Sequence, residues 1–346
     1  MNVKALITSV ALALVPLGVH AQGFAGLGTS VEGYALPDPE SRFQFPEDHR
    51  SHPAFRIEWW YVTAYLTGED GQTYGAQWTL FRNALRPTKL PEDQIWLGHA
   101  AVSTPSGHFF AERLARGGTG QAGVIGSPFE ARIDEWYMAG PHLNDVELRA
   151  QGTDFSYELS LTSDRPFVPQ GTEGFSRKSE QGQASHYYSQ PFYDVAGHIQ
   201  LASGSVAVTG KAWLDREWSS QPLTSTQTGW DWISLHLDTG EKLMGYRLRD
   251  KTGTDYVVGT WIAADGAPTP LEPGDLSMVP TQWARVANRD VPVGWAVDLP
   301  DRDLQIEVNA VYPQSWMPTL VPYWEGPVTV TGTHPGVGYL EMTGYE

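Results

Sequence analysis

What most constrains this chain is that it repeats itself. Ile57-Glu58-Trp59-Trp60-Tyr61-Val62-Thr63-Ala64-Tyr65-Leu66, a turn at Gly68-Glu69-Asp70-Gly71, and a returning run from Thr73 to Arg82 read as a β-hairpin. The run from Trp230 to Leu237, a turn at Asp238-Thr239-Gly240, and a return from Lys242 to Arg249 spell the same hairpin, and both copies close on an apolar residue followed by arginine. Val146-Glu147-Leu148-Arg149 with the run Phe155 to Leu161 matches Trp295 to Leu299 with the run Leu304 to Val311. Ser205 to Gly210, leading to Trp213-Leu214-Asp215, matches Pro327 to Gly332, leading to Tyr339-Leu340-Glu341. Three matches in one order predict a duplicated unit, from Glu58 to Ser220 and again from Trp230 to Glu346, with a linker over Gln221 to Gly229.

Each unit is expected to be all-β. No long apolar stripe at helical spacing is present, while Gly and Pro punctuate short runs of β-branched and aromatic residues. Meander-like hairpins favour a barrel over a parallel sheet, and a barrel of about eight strands leaves room for one small ligand, the lipocalin arrangement. Two tandem barrels follow, the first spanning 22–222 with its leading segment and the second 223–346. The shorter second copy predicts a less elaborated barrel.

The first residues have a different character. Lys4 carries the one charge ahead of an apolar run from Ala5 to Val19, and Val19-His20-Ala21 supplies a small-x-small cleavage pattern. This is the pattern of a secretory signal over 1–21, so a secreted or periplasmic protein beginning near Gln22 is expected. The run falls short of the roughly 18 apolar residues a membrane span needs, and no later segment reaches that length, so no stable span is expected. With no cysteine, packing alone must hold the exported domains. A net charge of -17 excludes nucleic acid as a natural partner, since phosphate recognition needs lysine and arginine clusters.

The chemistry must lie elsewhere than in the familiar motifs: the sequence has no G-x-S-x-G elbow, no H-E-x-x-H and no phosphate-binding glycine loop. No cofactor is implied. Polar groups instead sit inside aromatic runs: His49 and His52 ahead of Glu58-Trp59-Trp60-Tyr61, then Trp213-Leu214-Asp215-Arg216-Glu217-Trp218, then Trp230-Asp231-Trp232. A carboxyl packed among indoles loses hydration, which raises its pKa and lets it act as an acid. Asp215, Glu217 and Glu58 are the candidate acids, with His49 and His52 orienting one of them or a water. Trp60, Trp78, Trp213, Trp218, Trp230, Trp232 and Tyr246 are expected to line the tryptophan-rich interior around an apolar ligand. Other readings stand beside these. Asp215-Arg216-Glu217 also suits a structural ion pair at the junction. Strand alternation sets Asp231 opposite Trp230 and Trp232, where it would be solvated, and sets Glu58 on the face of Trp60. His49, His52 and Glu58 lack the spacing of a zinc site, and no metal is expected. Arg82 and Arg249 are expected to pair with carboxylates at strand ends.

Five motifs in order, Asp48-His49-x-x-His52-Pro53, Glu58-Trp59-Trp60-Tyr61, Trp213-Leu214-Asp215-Arg216-Glu217-Trp218-Ser219, Gly229-Trp230-Asp231-Trp232 and Gly338 to Tyr345, resemble the lipocalin-like family of carotenoid 1,2-hydratases and secreted AttH-like proteins. The resemblance implies two packed calycin-type barrels. It also implies an aspartic acid that protonates a terminal alkene, giving a tertiary cation that water captures. The strand that supplies this aspartate in hydratases reads Tyr246-Arg247-Leu248 here, without a carboxylate. The expected function is binding of a lipid- or isoprenoid-like molecule with acid-assisted hydration or hydrolysis. The alternative is a non-catalytic periplasmic carrier serving an envelope transport system. Asp215 and Glu341 end equivalent motifs, so each barrel is expected to present one acid, with the site on the first barrel's side of the junction.

Overall fold

The structure, a computed structural model, describes residues 31–345. The expected signal segment lies outside the described residues. The fold is all-β: among the described residues there is no α-helix, only 3-10 turns at Glu47–His49, Pro91–Asp93 and Pro300–Arg302. Among the described residues no helix is long and apolar enough to cross a membrane.

The first unit holds β1 (Ile57–Gly68), β2 (Thr73–Ala84), β3 (Gln94–Thr104), β4 (Gly107–Arg116), β5 (Ala122–Gly126), β6 (Phe129–Ile133), β7 (Trp136–His142), β8 (Asp145–Gln151), β9 (Phe155–Thr162), β10 (Val168–Pro169), β11 (Phe175–Arg177), β12 (Ala184–Leu201) and β13 (Gly204–Ser219). The second holds β14 (Gln227–Leu237), β15 (Lys242–Asp250), β16 (Tyr256–Ile262), β17 (Pro268–Leu271), β18 (Ser277–Val286), β19 (Arg289–Leu299), β20 (Leu304–Ala310), β21 (Trp316–Met317), β22 (Tyr323–Gly332) and β23 (Gly336–Thr343).

The main path of the first sheet runs β4-β3-β2-β1-β13-β12-β9-β8-β7-β6-β5, and that of the second β17-β16-β15-β14-β23-β22-β20-β19-β18. Laid over each other, nine strands coincide: β1 falls on β14, β13 on β23, β8 and β9 on β19 and β20. The first unit adds β5 and β6, which bring its sheet to a nearly closed barrel, while the second stops at a half-barrel. In each unit the first strand lies between the second strand and the last, closing a long-range pairing: Tyr61 faces Asp215, and Trp232 faces Glu341.

One part of the repeat reads differently in three dimensions. Ser205 to Gly210 belongs to the same strand as Asp215, whereas Pro327 to Gly332 is β22, a hairpin away from Glu341 on β23. That short apolar-polar alternation is common to neighbouring strands, so it matched the wrong member of the hairpin. The two acids themselves still occupy corresponding rungs of the two closing strands.

The barrel interiors are filled. Trp60, Val62, Ala64 and Leu66 of β1 point into the first core with Trp78, Leu80 and Trp136; Ile233, Leu235, Trp295, Trp324, Leu340 and Met342 fill the second. A fully buried indole takes roughly 200 Å² out of water, on the order of 5 kcal/mol before chain entropy is set against it. The expectation that Trp60 and Trp78 line a ligand is therefore corrected: both are fully buried in the first core and neither belongs to the cavity wall described below. A third cluster, with Tyr61, Tyr187, Trp213, Trp232, Tyr246 and Tyr339, lies where the units meet.

The meeting is close at Gly75 of β2, where an added Cβ would stand 2.7 Å from Pro327 Cδ and 2.9 Å from the Tyr339 hydroxyl. Neither neighbour is the loose end of a flexible chain. Gly75→Ala is expected to lower unfolding free energy by about 1 to 3 kcal/mol through overpacking, with little change in far-ultraviolet circular dichroism; a urea midpoint equal to that of the parent protein would contradict the close approach.

Candidate functional site

Alternation along β1 sorts its side chains into two environments. Glu58 and Trp60 face into the first barrel, while Ile57, Trp59 and Tyr61 face the second unit. The outward set forms one wall of a cavity of about 350 Å³, walled on the far side by Trp230, Trp232, Tyr246 and Leu248. Leu114 and Leu320 stand at its edge, 59% and 71% exposed, and form an apolar lip toward solvent. The cavity thus lies between the barrels.

Carboxyl groups gather in this cavity. Asp215 of β13 accepts hydrogen bonds from the Tyr187 hydroxyl (2.5 Å), the Ser189 hydroxyl (2.6 Å) and Trp213 Nε1 (2.6 Å). Burial nevertheless pushes its pKa up to about 7, with the charge of Glu217 adding to the rise and the three donors opposing it. Glu341 of β23 accepts from Trp230 Nε1 at 2.9 Å and keeps part of its surface open. Burial also raises Glu341 to about 7, helped by the charge of Asp215. Behind it, Glu325 is fully buried and held by the Tyr61 hydroxyl at 2.9 Å; burial and the charge of Glu341 lift its pKa well above the carboxylate range. Glu217 is different. Its carboxylate lies 2.9 Å from Lys178 Nζ, which hangs over the rings of Tyr246 (4.2 Å) and Tyr187 (4.9 Å). Burial works against the ammonium charge, yet Glu217 outweighs it and Lys178 stays above its ordinary value.

The other expected residues form a separate cluster. Glu58 is wholly buried and bonded by both Arg82 and Arg216, and it also takes the His52 backbone N–H at 2.8 Å and contacts His52 Nδ1 at 3.2 Å. Burial alone would raise its pKa, but the two guanidinium charges hold it well below the carboxylate range. Glu58 is therefore an ionised clasp, which corrects its reading as an acid. His52 stacks on Trp218 with centroids 3.9 Å apart and meets Asp48 at 3.1 Å; Arg216 lies 3.9 Å from the Trp60 ring. His49 bonds the Tyr188 hydroxyl at 2.7 Å, and burial lowers its pKa to about 4, with Arg216 contributing. Neither histidine reaches Asp215 or Glu217; both pin the leading segment over the first barrel. Among the described residues no group of three or more His, Asp or Glu is arranged to hold a metal ion.

Of the aromatic set, Trp230, Trp232 and Tyr246 line the cavity, Trp213 stands behind Asp215 as a donor, and Trp218 belongs to the histidine cluster. Asp231 is not solvated. It is buried in the second unit, 2.7 Å from Arg249 and 2.9 Å from the Tyr345 hydroxyl, because the opposite face of β14 is core rather than surface. Arg82 and Arg249 do pair with carboxylates.

Lys178, Tyr187, Tyr323 and Glu325 carry no weight in the reading of the sequence. Glu325 follows Tyr323-Trp324, a carboxyl in an aromatic run like those singled out elsewhere, so its signal was present. Lys178 sits in an ordinary polar stretch and is brought in by tertiary structure alone.

A sequence profile described as AttH-like matches residues 36–345. The chain is similar to the crystal structure of an AttH from Nitrosomonas europaea, 34% identical, covering 90% of this chain and 99% of that one with a TM-score of 0.82. It shares its fold with kievitone hydratase from Nectria haematococca, 14% identical, covering 89% of this chain and 97% of that one with a TM-score of 0.66. No curated protein sequence matches.

The raised carboxyls make stability depend on pH in a definite direction. The unfolded chain releases these protons near pH 4, whereas the folded chain holds them to about 7. At these two sites the folded state therefore binds more protons across that window, and their contribution to stability falls as pH rises through it, while buried histidines such as His49 work in the opposite direction. Relative to the double variant Asp215→Asn, Glu341→Gln, urea unfolding of the parent protein is expected to show an additional loss of about 2 to 5 kcal/mol between about pH 4.5 and 7.5. A difference between parent and variant that does not change with pH would show that other groups set the profile.

Proposed function

The chain belongs to the AttH-like family, and from that premise we propose that it binds a neutral, apolar, unsaturated molecule between its two barrels and adds water to it by acid catalysis. The observation that carries this reading is the pair Asp215 and Glu341, two carboxyls poised near neutrality in an aromatic-walled cavity. Two such groups sharing a site favour one proton between them, an acid beside a base.

Glu341 suits the acid. One oxygen is held by Trp230 and the group keeps open surface, whereas both oxygens of Asp215 are occupied by donors. A proton passes from Glu341 to an alkene carbon and leaves a carbocation. The faces of Trp59, Trp230 and Trp232 stabilise that cation by roughly 0.5 to 2 kcal/mol each. Water forms the new C–O bond, and its surplus proton goes to ionised Asp215. The lining supports hydration over serine-based hydrolysis, since its hydroxyls come from tyrosine and threonine. It also favours a neutral ligand: the single cation in the wall, Lys178, is already paired with Glu217, so a fatty-acid carboxylate would meet only like charge. The named activity of the fungal structural neighbour, a hydratase, is in keeping with this chemistry. We place the reaction outside the cytoplasm, in line with the export signal read in residues 1–21.

Myrcene, a small neutral isoprenoid alkene, is the probe. Incubated with the protein in heavy-oxygen water it should yield a tertiary alcohol carrying the label, and Glu341→Gln should reduce the rate roughly 100-fold or more. Quenching of cavity tryptophan fluorescence by myrcene but not by decanoate is expected at neutral pH. Binding without conversion would support the carrier instead, and undiminished conversion by Glu341→Gln would remove it as the acid.

A further inference from the structure

Water addition as described leaves Glu341 a proton short and Asp215 a proton rich, while an apolar ligand in the cavity keeps solvent away from both. A row of groups along the cavity wall leads from Glu341 to the outside. The Tyr61 hydroxyl adjoins Glu341 and bonds Glu325 Oε2 at 2.9 Å. Tyr323 lies two residues before Glu325 on the same face of β22, and its hydroxyl adjoins that carboxyl. The Tyr323 hydroxyl meets His99 Nδ1 at 2.9 Å, and His99 Nε2 meets Glu112 at 3.1 Å. The Glu112 side chain is about one-third exposed. The row therefore crosses from the second unit to the first and ends in water.

Its composition is selective. Every interior member, two phenols, a carboxyl and an imidazole, can donate and accept a proton. Nothing in the proposed chemistry touches Glu325, Tyr323, His99 or Glu112.

We propose that Glu112, His99, Tyr323, Glu325 and Tyr61 form a proton wire that reloads Glu341 from solvent while the cavity is occupied. The inference rests on the acid role of Glu341. In one cycle Tyr61 passes its proton to Glu341 and receives one from Glu325; Glu325 is refilled by Tyr323 and Tyr323 by His99 Nδ1. His99 Nε2 takes a proton from protonated Glu112, so the imidazole changes tautomer and remains neutral, the state that burial already favours. When the cavity reopens, water supplies a proton to Nδ1 through Tyr323 and ionised Glu112 takes the one on Nε2, which resets the ring. Solvent returns the proton to Glu112. The surplus on Asp215 leaves with the product when the cavity reopens to water.

The test needs no turnover, so it separates the wire from the hydratase reading. In the full chain, the infrared carbonyl band of protonated Glu341, assigned by its loss in Glu341→Gln, is followed after a rapid pH jump with the cavity filled by n-decane. Filling is read from cavity tryptophan fluorescence. Tyr323→Phe is expected to slow relaxation of that band at least tenfold, and Glu112→Gln, a surface change that leaves the fold alone, to slow it to a lesser degree. The equilibrium midpoint should move little in Glu112→Gln. Relaxation at the parent rate in both variants would overturn the wire, whether or not myrcene is hydrated.

Discussion

Everything in this molecule depends on β1 being buried on both faces. A strand shows its side chains alternately to two sides, and β1 has a barrel core on one side and a second domain on the other. Its inward residues Trp60, Val62 and Ala64 belong to the buried core of the first barrel. Its outward residues Trp59 and Tyr61 are then free to shape the space between the units. A one-residue slip against β2 or β13 would exchange these two sets and turn Glu58 toward the cavity, away from the two arginines of the flanking strands. The triad of Glu58, Arg82 and Arg216 resists such a slip, because each member is buried and would be left uncompensated if the others moved away.

The carboxyls on the two sides of this strand show how environment decides chemistry. Glu58 and Glu341 are both acidic residues removed from bulk water, yet they are driven in opposite directions. Glu58 lies against two guanidinium groups and stays ionised; Glu341 has an indole N–H, a phenol and neighbouring carboxyls, and holds its proton to about 7. Desolvation is the first influence on both. The difference comes from what replaces the lost water.

The fold was legible because duplication doubles its signal. Weak alternation in the hairpin Glu58 to Arg82 gains force when Trp230 to Arg249 repeats it, and two tandem all-β units follow. The site was legible in part. Asp215, Glu217, Trp230, Trp232 and Tyr246 stand out as polar or aromatic residues in unusual company, and they do meet around one cavity. Glu58, His49 and His52 stand out by the same criterion but serve as a clasp, because local sequence shows that a carboxyl is buried without showing whether an arginine waits across the sheet. Arg82 and Arg216 reach Glu58 from the two flanking strands, information that resides in pairing register. The place of the cavity was hidden for a related reason. Nothing in one strand states whether its outer face meets water or another domain.

The two acids come from corresponding rungs of two closing strands, one from each half of the chain. Neither half could assemble this site alone. Had the ancestor been a single barrel, its cavity would have existed only in a dimer, with one residue serving twice across a symmetry axis and both copies bound to titrate alike. Two halves joined in one chain are free of that constraint. Once the rungs could diverge, one could become an aspartate gripped by three donors and the other a glutamate left open to the cavity, and equal partners could take unequal parts in moving a proton.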